Sequence, residues 1–288
     1  MKKYPGFLIF FIYLLAIGCS HSKSKDAIKV MTMNVRYDNP DDSLNAWPNR
    51  IHLISSVISR EKPDVMGMQE VLWSQYHAMD SLMKGYSSVG VGRDDGARGG
   101  EMNPVFFRKE RFDLVRTLTF WLSETPDLPG SKGWGASLPR IVTWLELVDK
   151  NTHGHFFFFN THFAHDSDSA RIMSSRILLK EVEKIADGFP FILTGDFNML
   201  PYTTAYSILT GPDESVPALK DAYFVSEKKP VGPTWTFNGF SDQPGNGRVD
   251  YIFVKSGLRV LNHSTLDVKD NEIFISDHWP VMAQINIR

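Results

Sequence analysis

Phe191-Ile192-Leu193-Thr194-Gly195-Asp196-Phe197-Asn198 passes from an apolar run into a glycine, a carboxylate and an amide. A strand covered on both faces reads as such a continuous run, and polar groups just past its end face the crevice of an α/β domain. On an extended chain residues i and i+2 point the same way. Asp196 and Asn198 are therefore expected to face one target while Phe197 packs behind them. A carboxylate and an amide together hold a hard cation, or orient water and phosphate, without bringing two full negative charges close. The plain alternative is an Asx turn between strand and helix.

Working outward, the same pattern recurs along the chain. Asn34 follows Val30-Met31-Thr32-Met33, and Glu70 follows Val65-Met66-Gly67-Met68-Gln69. His162 follows Phe156 to Thr161, and Asp277-His278 follows Ile273-Phe274-Ile275-Ser276. Strand character is read over Ile28 to Tyr37, Val65 to Gln69, Tyr86 to Val91, Val105 to Phe107, Leu114 to Trp121, Arg248 to Val254 and Trp279 to Ile287. Ile141 to Val148 and His155 to Thr161 read as a hairpin across Asn151-Thr152-His153-Gly154. Ile51, Ile54, Val57 and Ile58 mark a helix by their 3.6-residue period, and Leu72 to Leu82, Ser169 to Ile185 and Thr203 to Leu209 are also read as helical. Ser123 to Pro139, broken by prolines and glycines, is irregular; Trp134 within it is placed to cap the core or line a groove. Many strands with a few helices predict two packed sheets with helices outside.

The chain has 288 residues, is 42% hydrophobic and carries a formal charge of -2, which fits one large domain and argues against a protein that coats nucleic acid. Met1-Lys2-Lys3 followed by the apolar run Phe7 to Gly18 has the form of an export signal, too short to span a bilayer comfortably. Cys19, the only cysteine, is followed by the polar tether Ser20 to Lys25. This resembles a bacterial lipoprotein signal in which Cys19 is lipidated, although leucine stands one position earlier than in the strictest pattern. The expected division is a signal over 1–18, a tether over 19–26 and one domain over 27–288. Removing 1–18 takes away Lys2 and Lys3 and leaves 29 basic against 33 acidic residues, a formal charge of -4. The expected location is the cell envelope, lipid-anchored and facing the periplasm or the surface.

Adjacent strand residues point oppositely, so Asp277 is not the natural partner of His278. Asp250, in Gly247-Arg248-Val249-Asp250-Tyr251, is the better one: a buried aspartate accepting one imidazole proton fixes the tautomer and raises basicity at the other nitrogen. Glu70 is the simplest anchor for magnesium or manganese, which prefer oxygen. A mature domain without cysteine excludes thiolate zinc sites. His153, His155, His162 and His165 form a histidine-rich stretch without a compact zinc-ligand pattern.

Taken in order, Met33-Asn34-Val35-Arg36, Gln69-Glu70, Asn160-Thr161-His162, Gly195-Asp196-Phe197-Asn198, Arg248-Val249-Asp250-Tyr251 and Ser276-Asp277-His278-Trp279-Pro280-Val281 resemble the endonuclease/exonuclease/phosphatase superfamily. The resemblance spans about Ile28 to Ile287. It implies a four-layer α/β/β/α sandwich of two packed mixed β-sheets flanked by helices, and Mg2+ as cofactor, with Mn2+ as substitute. It implies Glu70 as principal metal carboxylate, with Asn34 and Asp277 as metal or metal-water ligands. Asp196 would align or activate the attacking water, Asn198 would hold a phosphate oxygen, and His278, held by Asp250, would face the phosphate with His162. Glu101 resembles the residue that supports the His162-type imidazole, and Arg140 a basic residue near the scissile phosphate. The implied activity is phosphoester hydrolysis by in-line attack of water, with a phosphodiesterase or nuclease placed first. A phosphatase on a small metabolite, a lipid-headgroup phosphodiesterase and a noncatalytic lipoprotein-binding module are the alternatives. The implied partners are a phosphate-ester substrate, nucleic acid among them, and a membrane through lipidated Cys19, with the protein a monomer. No inositol 5-phosphatase signature is present, and the loop Ser123 to Arg140 is expected to choose the substrate.

Overall fold

Along the first strand, Val30 points to one layer of core and Met31 and Met33 to another. That alternation, repeated strand by strand, generates the architecture of the computed structural model, which describes residues 26–211 and 218–287. The signal, Cys19 and nearly all of the tether fall outside the described residues. Among those described, no helix is long and apolar enough to cross a membrane.

One sheet runs, edge to edge, through β11 (Arg259–Thr265), β14 (Val281–Asn286), β1 (Ile28–Asn34), β2 (Val65–Gln69), β4 (Val105–Arg108) and β3 (Tyr86–Val89). The other runs through β5 (Phe112–Trp121), β6 (Ile141–Asp149), β7 (His155–His162), β8 (Phe191–Asp196), β10 (Asp250–Val254) and β9 (Lys220–Asp221). A small ribbon pairs β12 (Lys269–Asp270) with β13 (Ile273–Phe274). Both sheets are mixed: β1 is parallel to β2 and antiparallel to β14, while β8 is parallel to β7 and antiparallel to β10.

Three layers of buried side chains join four layers of backbone. Between the sheets lie Val30, Val65, Leu145, Phe158, Ile192 and Val281. Outside the first sheet, Met31, Met66 and Met68 meet Ile54, Val57 and Ile58 of α1 (Trp47–Glu61) and Met79 of α2 (Trp73–Leu82). Outside the second, Phe157, Phe159 and Leu193 meet Leu178 and Val182 of α3 (Asp168–Ala186) and Leu209 of α4 (Thr204–Thr210). This is the α/β/β/α sandwich expected from the sequence. α3 starts where Ser167 Oγ accepts the Ala170 N–H at 3.1 Å, satisfying one of the first-turn donors.

Polar side chains also join the two sheets. Gln69 Nε2 donates to Asn160 Oδ1 at 2.7 Å and to Thr32 Oγ1 at 3.0 Å. Asn160 Nδ2 donates back to the carbonyls of Met68 and Pro104, and Thr194 Oγ1 donates to Asn160 Oδ1. Gly67 leaves room for this amide: a Cβ there would overlap Asn160 and Thr194.

Three details depart from the sequence reading. β1 stops at Asn34 because Arg36 takes a left-handed φ of 57°. Ile273–Phe274 is a two-residue strand of the small ribbon, so Asp277 and His278 do not extend a main-sheet strand; they lead into β14. β11 was not anticipated, because an edge strand with a bulge at Val260/Asn262 mixes polar and apolar positions without alternation.

Candidate active site

The carboxyl ends of β1 and β2, which run in parallel register with Asn34 beside Gln69, open on the same side as the carboxyl ends of β7 and β8. Asp196 sits in register with His162 on one neighbour and Asp250 on the other. Three site-bearing turns leave these strands through non-glycine residues in the left-handed region: Arg36, Glu70 at 59° and Asn198 at 47°. Such conformations persist only where surrounding contacts fix them, and they concentrate at functional sites.

Asn34 spans the sheets. Its Nδ2 donates to Glu70 Oε1 and to Asp196 Oδ2, both at 3.0 Å, while its Oδ1 accepts the Arg36 N–H at 2.9 Å. Asn34 was expected as a metal or metal-water ligand; here its amide nitrogen faces the carboxylates and holds them in place. Glu70 Oε2 accepts the Tyr37 N–H at 3.2 Å.

The turn at Asn198 corrects the extended geometry read from the sequence. Asn198 N donates to Asp196 Oδ1 at 2.9 Å, closing the Asx turn that was the plain alternative. The left-handed turn still brings the amide into the site. Its Nδ2 donates to the Phe163 carbonyl at 3.1 Å and to His162 Nε2 at 3.0 Å. With Nε2 accepting, the proton of neutral His162 lies on Nδ1. Burial, then the cations of Arg140 and Arg93, hold His162 well below the ordinary imidazole range.

His278 is the opposite case. Its Nδ1 lies 2.8 Å from Asp250 Oδ2, and Asp250 is 1% exposed. Burial alone would lower this imidazole, but Asp250 and Asp196 outweigh it and hold its pKa well above the ordinary value. Asp196 Oδ2 thus lies between two imidazoles, 3.5 Å from His162 Nε2 and 3.7 Å from His278 Nε2. Burial raises the Asp196 carboxyl, opposed by His278 and assisted by Asp250. Burial likewise raises Asp277, opposed by His278 and reinforced by Glu70.

Glu101 was expected to support His162. Its Oε2 is 3.9 Å from His162 Nδ1, beyond hydrogen-bond reach, because both its oxygens are taken at 2.8 Å by Arg93. Arg140 Nη2 contacts His165 Nδ1 at 3.0 Å, while its Nε and Nη1 lack partners and no ion pair is formed among the described residues. Arg140 therefore offers this cleft a guanidinium without a direct ion pair, in the field of the Glu101, Asp196 and Glu70 carboxylates. The cleft has a volume of about 600 Å³. Arg36, Tyr37, Leu138, His165 and Phe237 also wall it, and of these Tyr37 and Phe237 were not considered for the site in the sequence reading. Of the loop Ser123 to Pro139, only Leu138 reaches it, since Trp134 instead turns its carbonyl to Ser167 Oγ.

Two groups of side chains are spaced to hold a cation. Glu70, His162 and Asp196 each bring a ligand atom within 4.8 Å of the others, as do Asp196, Asp250 and His278. Members of both groups already hold hydrogen bonds, and the first is the more open because Glu70 is only half-buried while all three members of the second are buried. Neither group contains His153, His155 or His165. Glu70, Asp196 and Asp277, all facing the cleft, form a hard oxygen donor set whose buried negative charge suits a small divalent cation.

The sequence model of the endonuclease/exonuclease/phosphatase family matches residues 31–278. The uncharacterized protein L388 of Acanthamoeba polyphaga mimivirus is 28% identical over 280 residues, covering 88% of this chain and 98% of that one. Among solved structures, an endonuclease/exonuclease/phosphatase from Bacteroides vulgatus is similar with a TM-score of 0.87 and 35% identity, over 91% of this chain and 99% of that one. The Bacteroides thetaiotaomicron VPI-5482 mannosyl-6-phosphatase Bt3783 is similar with a TM-score of 0.83 and 34% identity, over 90% of this chain and 99% of that one.

Proposed function

The chain belongs to the endonuclease/exonuclease/phosphatase family, and from that premise we propose that it is a divalent-metal-dependent phosphoester hydrolase whose preferred substrate is a small phosphomonoester, a sugar phosphate in particular. One observation carries the hydrolase reading: Asn34, Glu70 and Asp277 from one sheet meet His162, Asp196 and Asn198 from the other around a single cleft, with His278 held by Asp250 beside them.

Glu70 and Asp277 would hold Mg2+ or Mn2+, which when bound supplies Lewis-acid stabilisation of charge on the phosphoryl oxygens. Asp196, fixed by the Asn34 amide and the Asn198 N–H, aligns the attacking water and draws off its proton. His278, protonated through Asp250, donates from Nε2 to the phosphoryl group as negative charge develops, while the P–O bond opposite the attacking water breaks and the departing alcohol oxygen takes its proton from solvent. Asn198 turns its amide from His162 to a phosphoryl oxygen, and neutral His162 lies beside the same group. Arg140, with two N–H positions unpartnered, takes the extra charge that a monoester carries over a diester.

Two observations move the preference from the diester placed first on sequence to a monoester. A guanidinium without a direct ion pair faces the cleft and suits a dianion, and a relative 34% identical over nearly the whole chain is a mannosyl-6-phosphatase. Attachment to a membrane through lipidated Cys19 belongs to the same proposal; mass spectrometry of the native N-terminus tests it.

The activity is tested on residues 20–288 with mannose 6-phosphate, glucose 6-phosphate, DNA, RNA, sphingomyelin and bis-p-nitrophenyl phosphate. Mg2+, Mn2+, Ca2+ and chelator are compared, with Glu70→Ala and His278→Ala as blanks. The expected result is metal-dependent phosphate release fastest from hexose phosphates. Faster cleavage of DNA or RNA would overturn the monoester preference, and chelator-resistant activity would overturn the metal dependence.

A further inference from the structure

Arg50 stands outside the cleft, on α1, and is fully buried at 0% exposure. A guanidinium in such a place normally faces a carboxylate. Among the described residues Arg50 has no ion pair, and its hydrogen bonds all end on backbone carbonyls. Nη1 donates to Val35 O at 2.6 Å and to Ile275 O at 3.0 Å, Nη2 to Arg36 O at 3.2 Å, and Nε to Asn45 O. Trp47 and Phe240 lie 5.7 and 6.0 Å from its centre.

Three of those carbonyls, Val35, Arg36 and Ile275, belong to segments that carry polar groups of the site, while Asn45 ends the turn before α1. Val35 and Arg36 directly follow Asn34, and Ile275 stands two residues before Asp277. The Arg36 carbonyl also accepts from Gln75 Nε2 of α2 at 3.0 Å, and Gln75 is itself fully buried. Both contacts fall on the left-handed turn at Arg36. That turn aims the Arg36 N–H at Asn34 Oδ1, and Asn34 Nδ2 in turn grips Glu70 and Asp196. One buried cation therefore fixes two backbone segments, 240 residues of chain apart in register but adjacent in space, relative to each other.

We propose that Arg50 is a positioning residue for the metal site: it sets the spacing between the Asn34–Glu70 arm and the Asp277 arm, and so governs how tightly a divalent cation is held. Gln75 assists through the same carbonyl. This rests on the metal-dependent reading above. A hydrophobic residue would fill the volume but leave the carbonyls of Val35, Ile275 and Asn45 without the guanidinium, and the Arg36 carbonyl with Gln75 alone. Lysine would keep the charge but lose the planar fork that reaches both segments at once.

The test is Mn2+ affinity of the metal-free full-length protein, read by electron paramagnetic resonance, for wild type, Arg50→Lys, Arg50→Met and Gln75→Leu. Circular dichroism and thermal melting run beside it. The expected result is a folded Arg50→Lys protein that holds Mn2+ about tenfold to a hundredfold more weakly, with a smaller loss in Gln75→Leu. A role confined to stability would lower the melting temperature and leave the affinity of the folded protein unchanged, which would overturn the proposal. If Arg50→Met does not fold, Arg50→Lys and Gln75→Leu decide the matter. A wild-type protein that binds no Mn2+ would instead sink the metal reading, so the two failures are told apart.

Discussion

Gln69, at the end of β2, reaches across the interior and donates to Asn160 of the opposite sheet at 2.7 Å. Directly after these two residues come Glu70 and the Thr161–His162 pair. The distance between the two halves of the cleft is therefore set one step below it, by a fully buried polar contact and not by the loops above. A buried network in which nearly every donor and acceptor is used specifies one arrangement of the sheets, where apolar side chains alone would tolerate sliding.

Removing that contact should be expensive. Asn160→Leu takes from Gln69 its acceptor in the opposite sheet and from the carbonyls of Met68 and Pro104 their side-chain donor, leaving Gln69 with Thr32 and Pro104 with the Met68 N–H. The expected loss is about 3 kcal/mol, or roughly 6–12 °C in melting temperature. Urea unfolding followed by fluorescence measures it. A variant as stable as wild type would show that the sheets are held by packing alone.

His278 depends on Asp250 for its tautomer and its charge. Asp250→Asn keeps the shape, removes the negative charge and presents either an amide donor or a weaker acceptor to Nδ1. Turnover should fall by between about 10² and 10⁴ with little change in melting temperature. An unchanged rate and pH profile would remove His278 from its assigned role.

His263 offers a prediction away from the cleft. It is 2% exposed, neither ring nitrogen has a hydrogen-bond partner, and burial together with Arg248 lowers its pKa to about 4. In the unfolded chain it takes up a proton near pH 6.5, which the folded protein refuses until about pH 4. Stability from this group is therefore fully present above pH 6.5 and declines as pH falls through that window, by at most about 3 kcal/mol. Between those limits, denaturant unfolding of His263→Leu should show a shallower loss of stability on acidification than wild type. Equal slopes would refute it.

The layers were legible because β1, β2, β7 and β8 are covered on both faces and announce themselves as apolar runs ending in polar groups. Asn34, Glu70, His162 and Asp196 could be picked out for the same reason. Three features were hidden. Arg50 falls in the sequence as a charged position of an amphipathic helix, and its acceptors are main-chain carbonyls that no motif displays. Arg93 lay in a charged glycine-rich loop, and only the folded loop shows that it claims the carboxylate of Glu101. Phe237 lies in Thr234-Trp235-Thr236-Phe237-Asn238, whose run of aromatic and polar residues was a signal left unused. The Asx turn at Asn198 was legible as an alternative. Local backbone conformation decided it, which side-chain alternation cannot reveal.

The first sheet places β1 between β2 and β14, one made early in the chain and one at its far end, and Asp277 and His278 stand immediately before β14. A growing polypeptide can therefore build the second sheet, with His162 and Asp196 in register, while the first is still missing a central member. Asp277 and His278 reach the cleft only once β14 has docked beside β1, so every lining residue is already in the chain before the strand that brings the two halves together.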